Sequence, residues 1–117
     1  MEKLIKIYQE ERPWGYFRQF TKNEETTVKI IVVNSGEQLS LQSHERRGEF
    51  WKITKGSGLV EIGDEKKDAS IGDEFIILKG QKHRITAGAE GAEFIEISFG
   101  DFEEGDIVRY EDKYNRV

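Results

Sequence analysis

Gly36-Glu37-Gln38-Leu39-Ser40-Leu41-Gln42-Ser43-His44, followed after Glu45-Arg46 by Arg47-Gly48-Glu49-Phe50-Trp51-Lys52-Ile53-Thr54, is the stretch on which the fold turns. Neither half carries the recurrence of apolar side chains that marks a helix. Both read instead with a period of two. Gln42 and His44 project to one face of an extended strand, and Glu49, Trp51 and Ile53 share a face of the next. The same texture continues outward in both directions. Short runs rich in β-branched and aromatic residues cover 16–20, 26–33, 38–42, 49–54, 58–62, 74–78, 83–87 and 93–99, separated by Gly, Asn and Asp. Strands this short and this regularly spaced predict an all-β sandwich or barrel. Within it, Lys29-Ile30-Ile31-Val32-Val33 shows no alternation, which predicts a central strand covered on both faces. Ile62-Gly63-Asp64-Glu65 supplies a glycine beside a turn-forming Asp and predicts a hairpin. Pro13, in Arg12-Pro13-Trp14-Gly15, favours an extended or turn segment entering the barrel. The expected organisation is one domain with its core over 15–100, an N-terminal arm over 1–14 and a C-terminal extension over 101–117. Trp14 and Trp51 are both expected in the core.

Composition excludes several classes of function. A chain of 117 residues buries roughly two-thirds of its unfolded surface, so it can fold without disulfides. It is too short for a doubly wound nucleotide domain plus anything else, and no phosphate-binding glycine loop occurs. Charged residues make up 35%, but the 7 Phe, 4 Tyr and 2 Trp assign those charges to a surface and not to a disordered chain. A net charge of −5 argues against nucleic-acid binding through phosphate contacts. With no Cys there is neither a disulfide framework nor a thiolate metal site, and a reducing cytoplasm is the expected compartment. The N-terminal MEKLIKIYQEERPWG is broken by charges and lacks the form of a signal peptide. No segment reaches membrane-spanning length, so neither a membrane nor a nucleic acid is expected as a partner.

The only two histidines, His44 and His83, each lie in a polar setting beside a strand. A Glu49 that shares a face with Trp51 and Ile53 needs a partner, because an unpaired buried charge is costly. If the segments at 42–44 and 49 form a tight hairpin and His83 arrives from across the barrel, Gln42, His44, Glu49 and His83 converge. One amide oxygen, two imidazole nitrogens and a carboxylate suit a single divalent ion, zinc first, with iron, cobalt, nickel or manganese as rivals.

The spacing carries a resemblance. Gly36-x5-Gln42-x-His44-x4-Glu49-x6-Gly56 resembles the first cupin motif, with Gln in place of the first His, and Gly72-x5-Leu78-x-Gly80-x2-His83 resembles the second, with Leu in place of Pro. Arg12-Pro13-Trp14-Gly15, Arg47-Gly48-Glu49-Phe50-Trp51, Gly80-Gln81-Lys82-His83-Arg84 and the run from Gly105 to Arg116 narrow it further. Together they resemble the cupin domain of type II phosphomannose isomerases, which in many relatives follows a mannose-1-phosphate guanylyltransferase domain.

What the resemblance implies is a small double-stranded β-helix barrel that interconverts mannose 6-phosphate and fructose 6-phosphate through an enediolate. It also implies a metal held by Gln42, His44, Glu49 and His83, no guanylyltransferase activity in this segment, and a homodimer paired through sheet edges. Arg116 matches the family's C-terminal arginine, which is associated with catalysis. Glu96 and Glu111 are expected acid–base groups by position and chemistry, and Arg12, Lys29, Arg47, Lys82 and Arg84 are expected phosphate or sugar contacts. The chain departs from the family at Glu45, Arg46 and Phe50, where relatives commonly carry His. It also has Asn115 for the family's Gly, a change that a turn with positive φ tolerates. Two readings follow from these departures: an isomerase, or a metal-binding cupin that only senses a sugar phosphate or sugar nucleotide.

Overall fold

The computed structural model describes residues 5–114, so Arg116 and Asn115 lie outside the described residues. Among the described residues nine strands follow one another: β1 (Tyr8–Arg12), β2 (Gly15–Gln19), β3 (Thr26–Val33), β4 (Leu41–Ser43), β5 (Arg47–Ile62), β6 (Glu65–Ser70), β7 (Glu74–Ile77), β8 (His83–Gly100) and β9 (Val108–Glu111). Among the described residues there is no helix, and hence none long and apolar enough to cross a membrane. The all-β expectation holds.

The spine is the antiparallel ribbon of β5 and β8, in register from Arg47↔Gly100 to Ile62↔His83. Strand β3 flanks the second half of β8, β6 and β7 flank β5, and β4 pairs with the start of β8 and carries β9 on its other side. The runs expected as separate strands at 49–54 and 58–62 are one strand, as are those at 83–87 and 93–99. The glycines between them act as bends. Gly56 and Gly91 take positive φ, 73° and 78°, and the register slips at Ile53/Lys55 and Gly56/Gly58, so bulges curve the ribbon without ending it.

Three other expectations are corrected. Strand β3 is not covered on both faces: Val28, Ile30 and Val32 are exposed, while Ile31 and Val33 turn inward onto Phe94 and Ala92. β3 has β8 on one side and no partner on the other among the described residues, so burial alternates although hydrophobicity does not. The run from Tyr16 pairs with the supposed N-terminal arm and not with the barrel, in a hairpin whose turn holds Pro13 and leaves Trp14 74% exposed. That hairpin is fastened to the barrel by an Arg18–Glu74 ion pair and by Phe20 against Phe50, ring centroids 5.1 Å apart. Finally, β4 and β5 are consecutive but unpaired. The hairpin expected at Ile62–Glu65 does form.

Alternation along β5 and β8 divides the apolar residues between two cores. Trp51, Ile53, Val60, Ile85 and Phe94 fill the barrel interior. Phe50, Ile97 and Phe99 face outward and are covered by Ile5, Ile7 and Phe20. The interior is therefore apolar at one end, and the end where β4, β5 and β8 begin or finish carries the polar residues.

Candidate metal centre

Glu49 enters the interior because it alternates with Phe50, and the following inward residue, Trp51, closes the floor beneath it with no exposed surface. His44 leaves the end of β4 toward the same space, and His83 opens β8. Each of the three is at most 4% exposed, and their ligand atoms lie within 4.8 Å of one another. His44 Nε2 is 3.4 Å from Glu49 Oε2, and His83 Nε2 is 3.4 Å from Glu49 Oε1. Trp51 Nε1–H donates to Glu49 Oε1 at 3.2 Å.

The outer nitrogens of the rings define their protonation. His44 Nδ1 lies 2.7 Å from the Asp106 carbonyl and His83 Nδ1 lies 2.9 Å from the Gln81 carbonyl. A carbonyl can only accept, so both Nδ1 atoms carry the proton. Nε2 is then the atom that each ring directs at the Glu49 carboxylate. His44 Nε2 receives Arg47 Nη2 at 3.3 Å, but His83 Nε2 is buried with no hydrogen-bond partner. With Nδ1 of each ring directed at a carbonyl, Nε2 of both rings and the Glu49 carboxylate converge in one buried space. This donor set, with both rings held from behind by carbonyls, fits a borderline divalent metal.

The electrostatics agree. Burial is the main force lowering the His44 pKa, outweighing the pull of Glu49 and of the Asp106 carbonyl in the other direction, so the ring stays neutral. For Glu49, burial works to raise the carboxyl pKa. The attraction of His83 first, then of His44 and Arg47, outweighs it and holds the group down at about 2. Its Oε1 and His83 Nε2 are close enough for that Coulombic attraction but are not aligned as a hydrogen bond. The carboxylate is thus ionised and the imidazole of His44 is neutral, the forms in which both bind metals.

Gln42, the fourth expected ligand, stands in register with His83 across β4 and β8, on the face that His44 also uses. Arg47 is buried among the ligands, with Nε donating to Glu49 Oε2 at 3.2 Å, Nη1 donating to the Glu103 carbonyl at 3.2 Å, and its guanidinium 4.3 Å above Phe102. Glu96 pairs in register with Trp51 on one side and Lys29 on the other, so its carboxyl faces the same interior. It accepts from Ser98 Oγ at 3.4 Å. Burial, and then the negative Glu49, push its pKa up to about 7 against the pull of Lys29, Arg47 and His83. Lys29 reaches from this face to Glu104 and over Phe102.

The remaining expected site residues are not brought to the cluster. Arg12 pairs with Glu10 on the exposed hairpin, and Lys82 lies over the Tyr110 ring. Arg84 pairs with Glu61 and, at 3.1 Å, with Glu111, which places both Arg84 and Glu111 in an outer ion-pair network. The family departure at Phe50 also loses its weight: this position faces the outer core against Phe20, on the face of β5 opposite Glu49 and Trp51. Sequence reading missed Asp106. Its carboxylate accepts from the amides of Glu45 and Arg46 at 2.9 Å each, while its carbonyl holds His44. The signal was the acidic residue directly after Gly105 in the Gly105–Arg116 run, which has no hydrophobic period to announce a strand.

Comparison with known proteins places this geometry. The family model described as "Mannose-6-phosphate isomerase C-terminal" matches residues 2–112. Mannose-1-phosphate guanylyltransferase ManC from Salmonella typhimurium is 37% identical over 108 residues, covering 91% of this chain and 22% of that protein. The chain thus spans about a quarter or less of the length of the curated relatives it matches. Among solved structures, oxalate decarboxylase from Bacillus subtilis superposes with a TM-score of 0.68 at 28% identity, over 74% of this chain and 24% of that one. An uncharacterised protein from Klebsiella pneumoniae with a double-stranded β-helix domain gives a TM-score of 0.66 at 18% identity, over 78% of each chain, a likeness of fold alone.

Proposed function

Because the chain belongs to the mannose-6-phosphate isomerase C-terminal family, we propose that it is a metal-dependent aldose–ketose isomerase that interconverts mannose 6-phosphate and fructose 6-phosphate. The observation that carries this reading is the pair of buried imidazoles whose Nε2 atoms face Glu49, that of His83 without a hydrogen-bond partner, beside a buried Glu96 whose pKa stands at about 7. His44, Glu49 and His83, with Gln42 as the fourth donor, hold the ion, and zinc is the first choice for this donor set. When bound, the ion polarises the sugar carbonyl and stabilises negative charge on the adjacent oxygens.

The protein's own groups move the protons. Glu96, ionised, takes the C2 proton of the open-chain aldose; the electron pair forms the C1–C2 double bond and the negative charge passes to O1. The O2 proton moves to O1, Glu96 returns its proton to C1, and the carbonyl reappears at C2. A carboxyl with a pKa near the working pH is suited to both halves of this exchange. Arg47 and Lys29 supply positive charge on the same face, and Arg116 is retained as a catalytic arginine on the family motif. Trp51 and Phe94, packed at 4.6 Å between centroids, close the floor of the site against water.

The test is a coupled assay for fructose 6-phosphate formed from mannose 6-phosphate, run on protein loaded in turn with zinc, iron, cobalt, nickel and manganese. Turnover that disappears on chelation and in Glu96→Gln, with sugar-phosphate binding retained in the variant, is the expected result. Tight binding of the sugar phosphate by metal-loaded protein without turnover would overturn it in favour of a cupin that only senses its ligand.

A further inference from the structure

The described arginines divide sharply. Arg12, Arg18, Arg46, Arg47 and Arg84 are each paired with a carboxylate. Arg109 has neither an ion pair nor a side-chain hydrogen bond among the described residues, and its Nε is buried without a partner. A buried guanidinium nitrogen with no acceptor is costly, and native structures retain one where a ligand completes the group.

Its position says which ligand. Gln42 on β4 is in register with His83 on one side and with Arg109 on the other. Directly opposed residues of antiparallel strands project to the same face, so His83, Gln42 and Arg109 form one row on the face that His44 also uses. Regular alternation along β9 would put Glu111 on that face too, where it would neutralise Arg109. The register slips between Leu41 and Gln42, so Glu111 is set opposite Leu41 and pairs with Arg84 instead. The bulge therefore keeps the cation and removes its natural counter-charge.

We propose that Arg109 is the phosphate-binding residue of the site, receiving the phosphate of a sugar phosphate whose reacting end lies at the metal ligands. This deepens the isomerase reading and rests on it for the identity of the sugar. His83 and Arg109 stand two strand spacings apart, about 10 Å at the backbone. A six-carbon chain with its phosphate at the far end bridges such a row, whereas a two- or three-carbon acid held at the metal does not. The planar guanidinium offers paired donors to phosphate oxygens, and among the described residues no carboxylate is ion-paired with it.

The experiment compares wild type, Arg109→Ala and Arg109→Lys as metal-loaded full chains, by calorimetric titration with mannose 6-phosphate and with mannose, and by competition with inorganic phosphate. The expected result is a roughly 10- to 100-fold rise in Kd for mannose 6-phosphate in Arg109→Ala. Partial recovery in Arg109→Lys, unchanged binding of mannose, and loss of phosphate competition should accompany it. In turnover the loss should fall on KM and leave kcat largely intact. Metal content and thermal midpoint are measured on every variant; if Arg109→Ala fails to load metal, Arg109→Lys and Arg109→Gln carry the comparison. Equal affinity of a metal-loaded variant and wild type for mannose 6-phosphate overturns the proposal. Arg109-dependent binding without turnover upholds it while refuting the isomerase reading, so the two failures are distinguishable.

Discussion

The ring of His44 is held from behind by the backbone carbonyl of Asp106, 2.7 Å from Nδ1, in a segment that reaches the site from 62 residues further along the chain. The same residue's carboxylate caps the amides of Glu45 and Arg46, so one aspartate fixes both the ring and the turn that carries it. Removing the carboxylate leaves the carbonyl in place but frees the turn. Asp106→Ala should weaken metal binding roughly 10- to 100-fold, as loss of an orienting group behind a ligand does, with the overall fold retained. Competition with a chromophoric chelator measures this directly, and an unchanged affinity would show that the turn is held by other contacts.

Metal ligation and the Arg47–Glu49 contact make separable predictions. His83→Ala removes a ligand whose Nε2 has no other partner, so metal content by elemental analysis should fall from one ion per chain to near zero while the metal-free fold survives. Glu49→Gln also deletes the charge that Arg47 faces at 3.2 Å in a buried setting. Stranding a buried guanidinium costs about 3–5 kcal/mol. Urea unfolding of the two metal-free variants should therefore place Glu49→Gln well below His83→Ala in stability, and similar midpoints would refute the pairing.

Glu96 gives stability a pH dependence whose sign follows from its environment. Its ordinary carboxyl value is 4.5 and its folded value is about 7, raised first by burial and then by Glu49. Between those values the native state keeps a proton that the unfolded chain has released, so the free energy of unfolding falls as pH rises. The contribution is full below about pH 4.5 and gone above about pH 7, and its full size is on the order of 3 kcal/mol. Metal-free wild type should lose stability between pH 5 and pH 8 relative to Glu96→Gln, which lacks the titration. Parallel urea-midpoint profiles for the two proteins would refute this.

The comparison of sequence with structure follows one physical line. His44, Glu49 and His83 were legible because strand periodicity and motif spacing act on residues whose burial is decided locally. Arg109 was not legible, because β9 is a four-residue edge strand, Val-Arg-Tyr-Glu, which its pairing with β4 defines and not its own hydrophobicity, and Asp106 was not, because it acts from the loop before that strand through contacts with a turn 60 residues away. The charged β6, Glu-Lys-Lys-Asp-Ala-Ser, and the polar β1 escaped for the same reason. Strand β3 misled in the opposite direction, since an unbroken apolar run says nothing about whether a second layer covers it. Glu111 shows the limit of alternation itself. A single bulge moved it from the face where Arg109 lies to an outer ion pair.

The glycines that sequence reading takes for strand breaks test the account of the bent ribbon. Gly56 has φ 73° and lies directly against the Gly91 carbonyl across the β5–β8 bend, so an added Cβ would overlap a backbone oxygen that cannot rotate away. Gly63 has a similar φ of 59° in the hairpin turn, but nothing lies within 4 Å of a Cβ built there. The left-handed conformation alone costs a non-glycine residue about 1–2 kcal/mol, so Gly63→Ala should lower stability by about that amount. Gly56→Ala bears the same strain plus the collision, and either the bulge must open or the two long strands must part. Its thermal midpoint should therefore fall by several degrees more than that of Gly63→Ala, since in a domain of this size each 1 kcal/mol shifts the midpoint by about 4 °C. Equal losses in the two variants would mean that the ribbon bends without the close approach of Gly56 to Gly91.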